Sequence, residues 1–382
     1  MKILIVCGGF YPAQNHGGPV VSIDNFINLL ADYNFYMITS DKDWKSSERL
    51  DGIIDGWNNY RNRCQVLYLR DNEYNYQNIE SIIKSIEPDL IYANFFFLAK
   101  MQLPVLKAAK KMHIPILDAP RGVLCKNALS LKPLKKKVYL KLINKLIDRN
   151  RYYCQSTSNE ETEQLQRILK INRDHIFETS NIPSIPNSSI DNIIKTKDEL
   201  ICGFFARICE KKNLKYAIRI LSNVSGNVTL NIYGKIEEEE YWNDCKEQIN
   251  SLPENIRVIY KGTYEHSDVF SLMAKNNVFF FPTLSENYGH VIAEALFTGL
   301  PVIISDQTPW NETEKYRCGY SIPLKDDNKF IKAIESYVGL NELEFCELRK
   351  NARRYAEEKS SLVELKREYE NMIKVVSKNR LE

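Results

Sequence analysis

The feature that most restricts the fold is an alternation of short apolar runs with helical patterns, and it occurs twice along the chain. In the first half, apolar runs at Ile3 to Cys7, Phe35 to Thr39, Gln65 to Leu69, Leu90 to Ala93 and Ile114 to Asp118 are separated by helical periodicities at Val20 to Leu30, Ile79 to Ile86 and Leu98 to Met112. Runs of this length are too short for helices and suit strands buried on both faces, which need helices above and below them. The pattern therefore predicts a parallel α/β sheet. From Leu200 it restarts, with runs at Leu200 to Phe205, Val228 to Tyr233, Ile256 to Tyr260 and Val278 to Phe281. Two Rossmann-like doubly wound domains follow, because 382 residues are too many for one compact core. A stretch rich in Pro, Asn, Ser and Lys at 181–198 is the expected linker, leaving 1–180 and 199–360 as the two domains.

Bulk properties narrow the function. An apolar content of 44% with 26% charged residues describes a globular chain. No apolar run approaches the ~20 residues that span a bilayer, and the first apolar run meets Gly8-Gly9 too soon for a signal peptide, so a cytoplasmic location is expected. Nine cysteines without a Cys-x-x-Cys pair read as reduced structural thiols rather than zinc ligands or disulfides. A net charge of +3 gives no reason to invoke nucleic acid.

The richest segment runs from Pro282 to Ile304. Here an apolar strand, an acidic loop, a helix pattern from about Gly289 to Phe297 and a further strand, Val302 to Ile304, form a βαβ unit. Glu286 and Glu294 flank the helix start. They read either as a cap and a solvated charge, or as acceptors for a polyhydroxyl ligand beside free helix N–H groups. After the run ending at Phe205 come Arg207 and, five residues on, Lys212. Together they can hold one diphosphate, the Arg by forked hydrogen bonds and the Lys as a point charge. Lys211 and Lys212 read equally well as a solvated helix start.

The order Thr283-Leu-Ser-Glu286-x-Tyr288-Gly289-x-Val291-x-x-Glu294-Ala-x-x-x-Gly299-x-Pro301-Val-Ile resembles the signature of glycosyltransferase family 4, retaining enzymes of the GT-B fold that use nucleotide sugars. The resemblance implies an α/β GT-B fold, two Rossmann-like doubly wound domains facing a central cleft, with a C-terminal helix (about 361–382) crossing back to the first domain. It gives Arg207 and Lys212 the phosphates, Glu294 the ribose hydroxyls, and Glu286 with Asn287, Tyr288, Gly289, His290 and Val291 the donor side. Where the family has a Gly after the Lys, this chain has Asn213, which puts the loop geometry in question. His290 is expected as a neighbour of the site rather than a base.

In the first domain, Gly8-Gly9 and then His16-Gly17-Gly18 lie between a strand and a helix, where glycine lets backbone approach a phosphate. Alone this is an ordinary loop; the resemblance makes Gly17 and Gly18 donor neighbours. No His ends the strands at Asn94 or Asp118, a departure from many family members. Pro120-Arg121-Gly122 instead resembles a variant found in bacterial polysaccharide and lipopolysaccharide enzymes. Asn94 and Arg121 are candidates for the sugar or acceptor side, Arg121 reading equally as an exposed turn residue. Asp41-Lys42-Asp43 matches an Asp-x-Asp metal motif but is expected to be a solvated loop.

Between Lys126 and Arg151, nine Lys and Arg face Asp148 alone, and Val138, Leu142, Leu146, Ile143 and Ile147 recur at helical spacing. Such a helix can lie on an anionic membrane, or pack on the core with a solvated basic face, or meet an anionic acceptor. Taken together, the expectation is a retaining, metal-independent glycosyltransferase moving a sugar from a nucleoside diphosphate sugar, UDP or GDP, to a saccharide hydroxyl on a lipid-linked cell-surface glycan precursor such as lipopolysaccharide or capsule. It would need no cofactor and sit in the cytoplasm, peripheral to the membrane through 126–151. A GT-B epimerase or phosphorylase, or a non-catalytic nucleotide-sugar-binding partner of another transferase, are the alternatives.

Overall fold

A computed structural model describes residues 1–13, 16–94, 96–124, 129, 133–187 and 195–380. The chain divides into two compact units, Met1–Ile182 with Leu362–Glu382, and Pro183–Ser361.

The first unit is built on an eight-stranded sheet in the order β3-β4-β2-β1-β5-β6-β7-β8. Its strands are β1 (Lys2–Cys7), β2 (Asn34–Ser40), β3 (Trp57–Tyr60), β4 (Cys64–Leu69), β5 (Leu90–Asn94), β6 (Ile116–Asp118), β7 (Tyr152–Ser156) and β8 (Ile176–Glu178). All pairings are parallel except that of β3 with β4. The pleat explains why β1 is apolar throughout. Ile3 and Ile5 join one buried cluster with the helix Gly18–Leu29, while Leu4 and Val6 join another with the helices Tyr76–Ile86 and Ala99–Lys111. The last helix, Leu362–Lys378, packs on the first of these faces. Its buried Leu365, Tyr369, Met372, Ile373 and Val376 contribute about 1.5–3 kcal/mol each by leaving water.

The second unit has six parallel strands in the order β11-β10-β9-β12-β13-β14, namely β9 (Glu199–Phe205), β10 (Asn227–Tyr233), β11 (Ile256–Tyr260), β12 (Val278–Phe281), β13 (Val302–Ser305) and β14 (Gly319–Ile322). This is the Rossmann order, and it reverses direction between β9 and β12. Both sheets are α/β and doubly wound, as the sequence pattern predicts.

Three expectations need correction. The basic segment is a helix only over Pro133–Leu146, with turns from 149 to 151; Lys126 and Lys132 lie outside the described residues. Its apolar residues do not share one face. Ile143 and Ile147 are buried, whereas Leu134, Val138 and Leu142 are 79%, 70% and 42% exposed. At ~100° per residue, Leu142 falls about a third of a turn, and Val138 nearly half a turn, from the side that meets the core. Finally, Asp41 is not in a solvated loop: it is buried, its amide bonded to Leu69 O at 3.1 Å and its carboxylate 3.9 Å from Arg49.

Candidate active site

Ligands of doubly wound sheets bind beyond the carboxyl ends of the strands at the point where strand order reverses. In the second unit that point lies between β9 and β12, and the loops leaving those two strands carry Lys212 and Glu286. The loops are tied together by their backbones: Leu284 N donates to Lys211 O at 3.0 Å, and the Asn213 amide donates to Pro282 O at 2.8 Å. Lys212 Nζ consequently meets Glu286 Oε1 at 2.5 Å, with both side chains about 85% covered. The Thr283 hydroxyl also donates to Glu286 Oε1, at 3.3 Å.

Asn213 settles the loop question. Its backbone is left-handed, φ 61° and ψ 36°, a region glycine enters freely and asparagine tolerates. The residue that replaces glycine thus keeps the turn and adds the clasp to Pro282.

Arg207 lies earlier in the same loop after β9 and pairs with Glu237, which follows β10. Gly234 makes this approach possible. Its φ is 141°, and a Cβ there would fall 1.9 Å from Ala206 O. Across the helix His290–Thr298, Glu294 is buried, and Oε1 accepts from His266 Nε2 at 2.8 Å. Gly289 starts that helix with φ 76°, where a side chain would press on Ile292. His290 is its first residue and Val291, half-buried, its second. Asn287 precedes it in the same bend. Tyr288 is a wall: its hydroxyl lies 3.3 Å from Ser360 Oγ, and its carbonyl accepts from Trp310 Nε1 at 2.6 Å. A cavity of about 330 Å³ opens beside these groups, lined by Tyr233, Lys261, Thr263, Tyr264, Glu265, Asp268 and Leu272.

Glu237 and His266 were not singled out from sequence. Neither lies in a contiguous motif; each comes from a different βα loop and is brought in by the parallel register of β9, β10 and β11.

In the first unit, Gly17 caps the helix Gly18–Leu29 with φ 65°, and nothing crowds its missing side chain. The His16 ring lies against Gly9, with its Nε2 3.9 Å from Asp43 Oδ1; burial pulls its pKa below the usual value. Asn94 and Arg121 are brought together. Arg121 Nε donates to Asn94 Oδ1 at 2.8 Å, Nη2 to Tyr92 Oη at 3.1 Å, and Nη1 to Asn181. The network continues from Tyr92 to Gln155 (2.8 Å), from Gln155 to Tyr369 (2.7 Å) and from Tyr369 to Ser180 O (3.0 Å). Arg121 is therefore not an exposed turn residue. Nearby, burial raises the Asp118 carboxyl to about 7, although Tyr152 donates to it. Among the described residues, no group of three or more His, Cys, Asp or Glu is placed to hold a metal.

Residues 187–359 match the family of glycosyl transferases group 1. The chain carries a glycosyl transferases group 1 domain. All the second-unit residues above except Ser360 lie within it, and the fold of the whole chain is GT-B. The structure of Anabaena HepE in complex with UDP and glucose resembles this chain with a TM-score of 0.71 at 17% identity, covering 98% of this chain and all of the other. WaaG, a glycosyltransferase involved in lipopolysaccharide biosynthesis, gives 0.68 at 13% identity, over 97% and 99% of the two chains. Among curated proteins, the GtfA subunit of a UDP-N-acetylglucosamine–peptide N-acetylglucosaminyltransferase from Streptococcus gordonii is 24% identical over 188 residues, which is 46% of this chain and 36% of that protein. The chain thus matches little more than a third of that relative's length.

Proposed function

We propose that this glycosyltransferase is a retaining, metal-independent enzyme that moves a sugar from a nucleoside diphosphate sugar to a saccharide hydroxyl on a lipid-linked glycan precursor. The observation that carries the reading is the pair of cations, Lys212 and Arg207, both in the loop after β9 and each held by one carboxylate from the loop of a flanking strand, Glu286 after β12 and Glu237 after β10. A diphosphate entering at the strand reversal exchanges for those carboxylates. Lys212 and Arg207 then stabilise the charge that grows on the leaving group, and Glu286, released from Lys212, turns to the sugar hydroxyls. The helix terminus at Gly289 adds its free N–H groups, and with two cations this neutralisation calls for no metal. The bond from the anomeric carbon to the phosphate oxygen breaks, the acceptor oxygen bonds to that carbon on the same face, and the acceptor proton passes to the leaving phosphate oxygen. Glu294 anchors the ribose and the 330 Å³ cavity takes the base. UDP is the favoured base carrier, since HepE binds UDP and the streptococcal relative is named for a UDP sugar.

Lys212→Ala should lower turnover by about 10²- to 10³-fold with unchanged thermal unfolding, the usual cost of removing a group aimed at developing charge. Unchanged turnover would sink the phosphate assignment. Release of nucleoside diphosphate only in the presence of a saccharide acceptor would speak against a phosphorylase or epimerase.

Peripheral attachment follows from the helix Pro133–Leu146. Leu134, Val138 and Leu142 form an exposed apolar line, and Lys135, Lys137 and Lys141 beside them are exposed. Lys136 is committed elsewhere, over the Phe97 ring at 5.0 Å. An anionic leaflet would receive the apolar line and gain ~1 kcal/mol per lysine. Co-flotation with vesicles containing anionic lipid should be lost on reversing Lys135, Lys137 and Lys141 to Glu. Flotation that survives the reversal removes the membrane from the proposal. No helix among the described residues is long and apolar enough to cross a membrane.

A further inference from the structure

Glu294 is an unusual place for a ligand-facing carboxylate. It is the fifth residue of the helix His290–Thr298, past the four free N–H groups that could neutralise it, and only 3% of its surface is exposed. A buried carboxylate so placed needs an outside donor. Among the described residues that donor is His266, whose Nε2 lies 2.8 Å from Oε1. His266 is itself fixed. It opens the short 3₁₀ turn His266–Asp268, closed by Asp268 N on Glu265 O at 2.9 Å, which runs straight into the helix Val269–Met273. Met273 of that helix is buried and accepts a contact from Thr298 Oγ1 at 3.8 Å, anchoring the turn to the helix that carries Glu294. The residues either side of His266 in this turn, Glu265 and Asp268, line the 330 Å³ cavity.

We propose that His266 is a positioning residue for the donor nucleoside: it holds one oxygen of Glu294 so that the other faces the ribose hydroxyls, and it joins the ribose anchor to the wall of the base cavity. The inference rests on the reading of Glu294 as the ribose contact. His266 touches no reacting atom, so its effect falls on nucleotide affinity rather than on bond breaking.

The test is calorimetric titration of UDP and of GDP into wild type, His266→Ala, His266→Gln and Glu294→Ala, with donor KM and kcat measured alongside. Removing a hydrogen bond to a carboxylate should weaken the better-bound nucleotide about tenfold in His266→Ala and raise donor KM equally, while kcat stays within about twofold. His266→Gln, which can place an amide N–H near the same oxygen, should recover most of the affinity; a merely structural loss would not be rescued this way. The double variant His266→Ala/Glu294→Ala should bind no worse than Glu294→Ala alone. If Glu294→Ala weakens binding and His266→Ala does not, the positioning role is wrong while the ribose assignment stands. If Glu294→Ala leaves binding unchanged, both fall. An additive double variant, or tighter binding by His266→Ala, also overturns the proposal.

Discussion

Two arginines, one in each unit, lie in the loop just past the carboxyl end of a parallel strand, and they are held in opposite ways. Arg121, after β6, spends its guanidinium on three neutral groups, Asn94, Tyr92 and Asn181, and through Tyr92 and Gln155 it reaches Tyr369 of the last helix. Arg207, after β9, is 42% exposed and, among the described residues, is held by Glu237. An ion pair this exposed is worth at most ~1 kcal/mol, so a phosphate can displace the carboxylate at little cost. A guanidinium locked into a chain of hydrogen bonds cannot be released without stranding several buried polar groups. The same residue type just past a strand end is thus a reserve of charge in one unit and a fastening in the other.

The comparison breaks if the two arginines respond alike to removal. Arg207→Ala should cost about 100-fold in turnover, with unfolding midpoint unchanged, because what it loses is made only when charge develops on the leaving group. Glu237→Ala, by freeing Arg207, should not share that loss. Next in size, Arg121→Ala should lower stability by about 2–3 kcal/mol through the unsatisfied Asn94, Asn181 and Tyr92 groups, seen as a fall of several degrees in the thermal midpoint. An Arg121→Ala protein that melts like wild type but has lost turnover would place Arg121 on the substrate instead and erase the contrast.

How far sequence reached also differs between the two regions. The second unit was legible because its information is contiguous. β11 and β12 are apolar runs with clear ends, and Glu286, Gly289 and Glu294 stand in one ordered stretch beside the loop that holds Lys212. What escaped there, Glu237 and His266, arrives from other loops through strand register, which local pattern does not encode. The first unit hid more. β7 reads Tyr-Tyr-Cys-Gln-Ser yet is wholly buried, since Gln155 and Ser156 find partners in Tyr92, Tyr369 and Thr162; no search for apolar runs finds such a strand. β3, Trp-Asn-Asn-Tyr, is an exposed antiparallel edge with no apolar run. The helix Pro133–Leu146 misled for a further reason: apolar residues at helical spacing do not say which side meets the core.

The smallest expected effect sharpens the contrast from the side of Asp118, which ends β6 three residues before Arg121. Its carboxyl is fully buried, Oδ2 accepts from Tyr152, and Oδ1 has no hydrogen-bond partner, so burial outweighs that single bond and lifts it to about 7. Unfolded, it titrates near 3.8. The folded state therefore binds the proton more tightly, and the stability this contributes is complete below pH ~4 and lost as pH rises through about 7. Asp118→Asn keeps an acceptor for Tyr152 and cannot ionise. Denaturant unfolding at pH 6 and pH 8 should show wild type losing about 1–2 kcal/mol more than Asp118→Asn over that interval, as one titrating site shifted upward allows. Asp118 takes no part in the charge-paired site of the second unit, Lys212 with Glu286, so turnover in Asp118→Asn should track wild type at every pH. If instead the two proteins unfold in parallel from pH 6 to 8, Asp118 is ionised in the fold, and the strand ends of the first unit are charged after all.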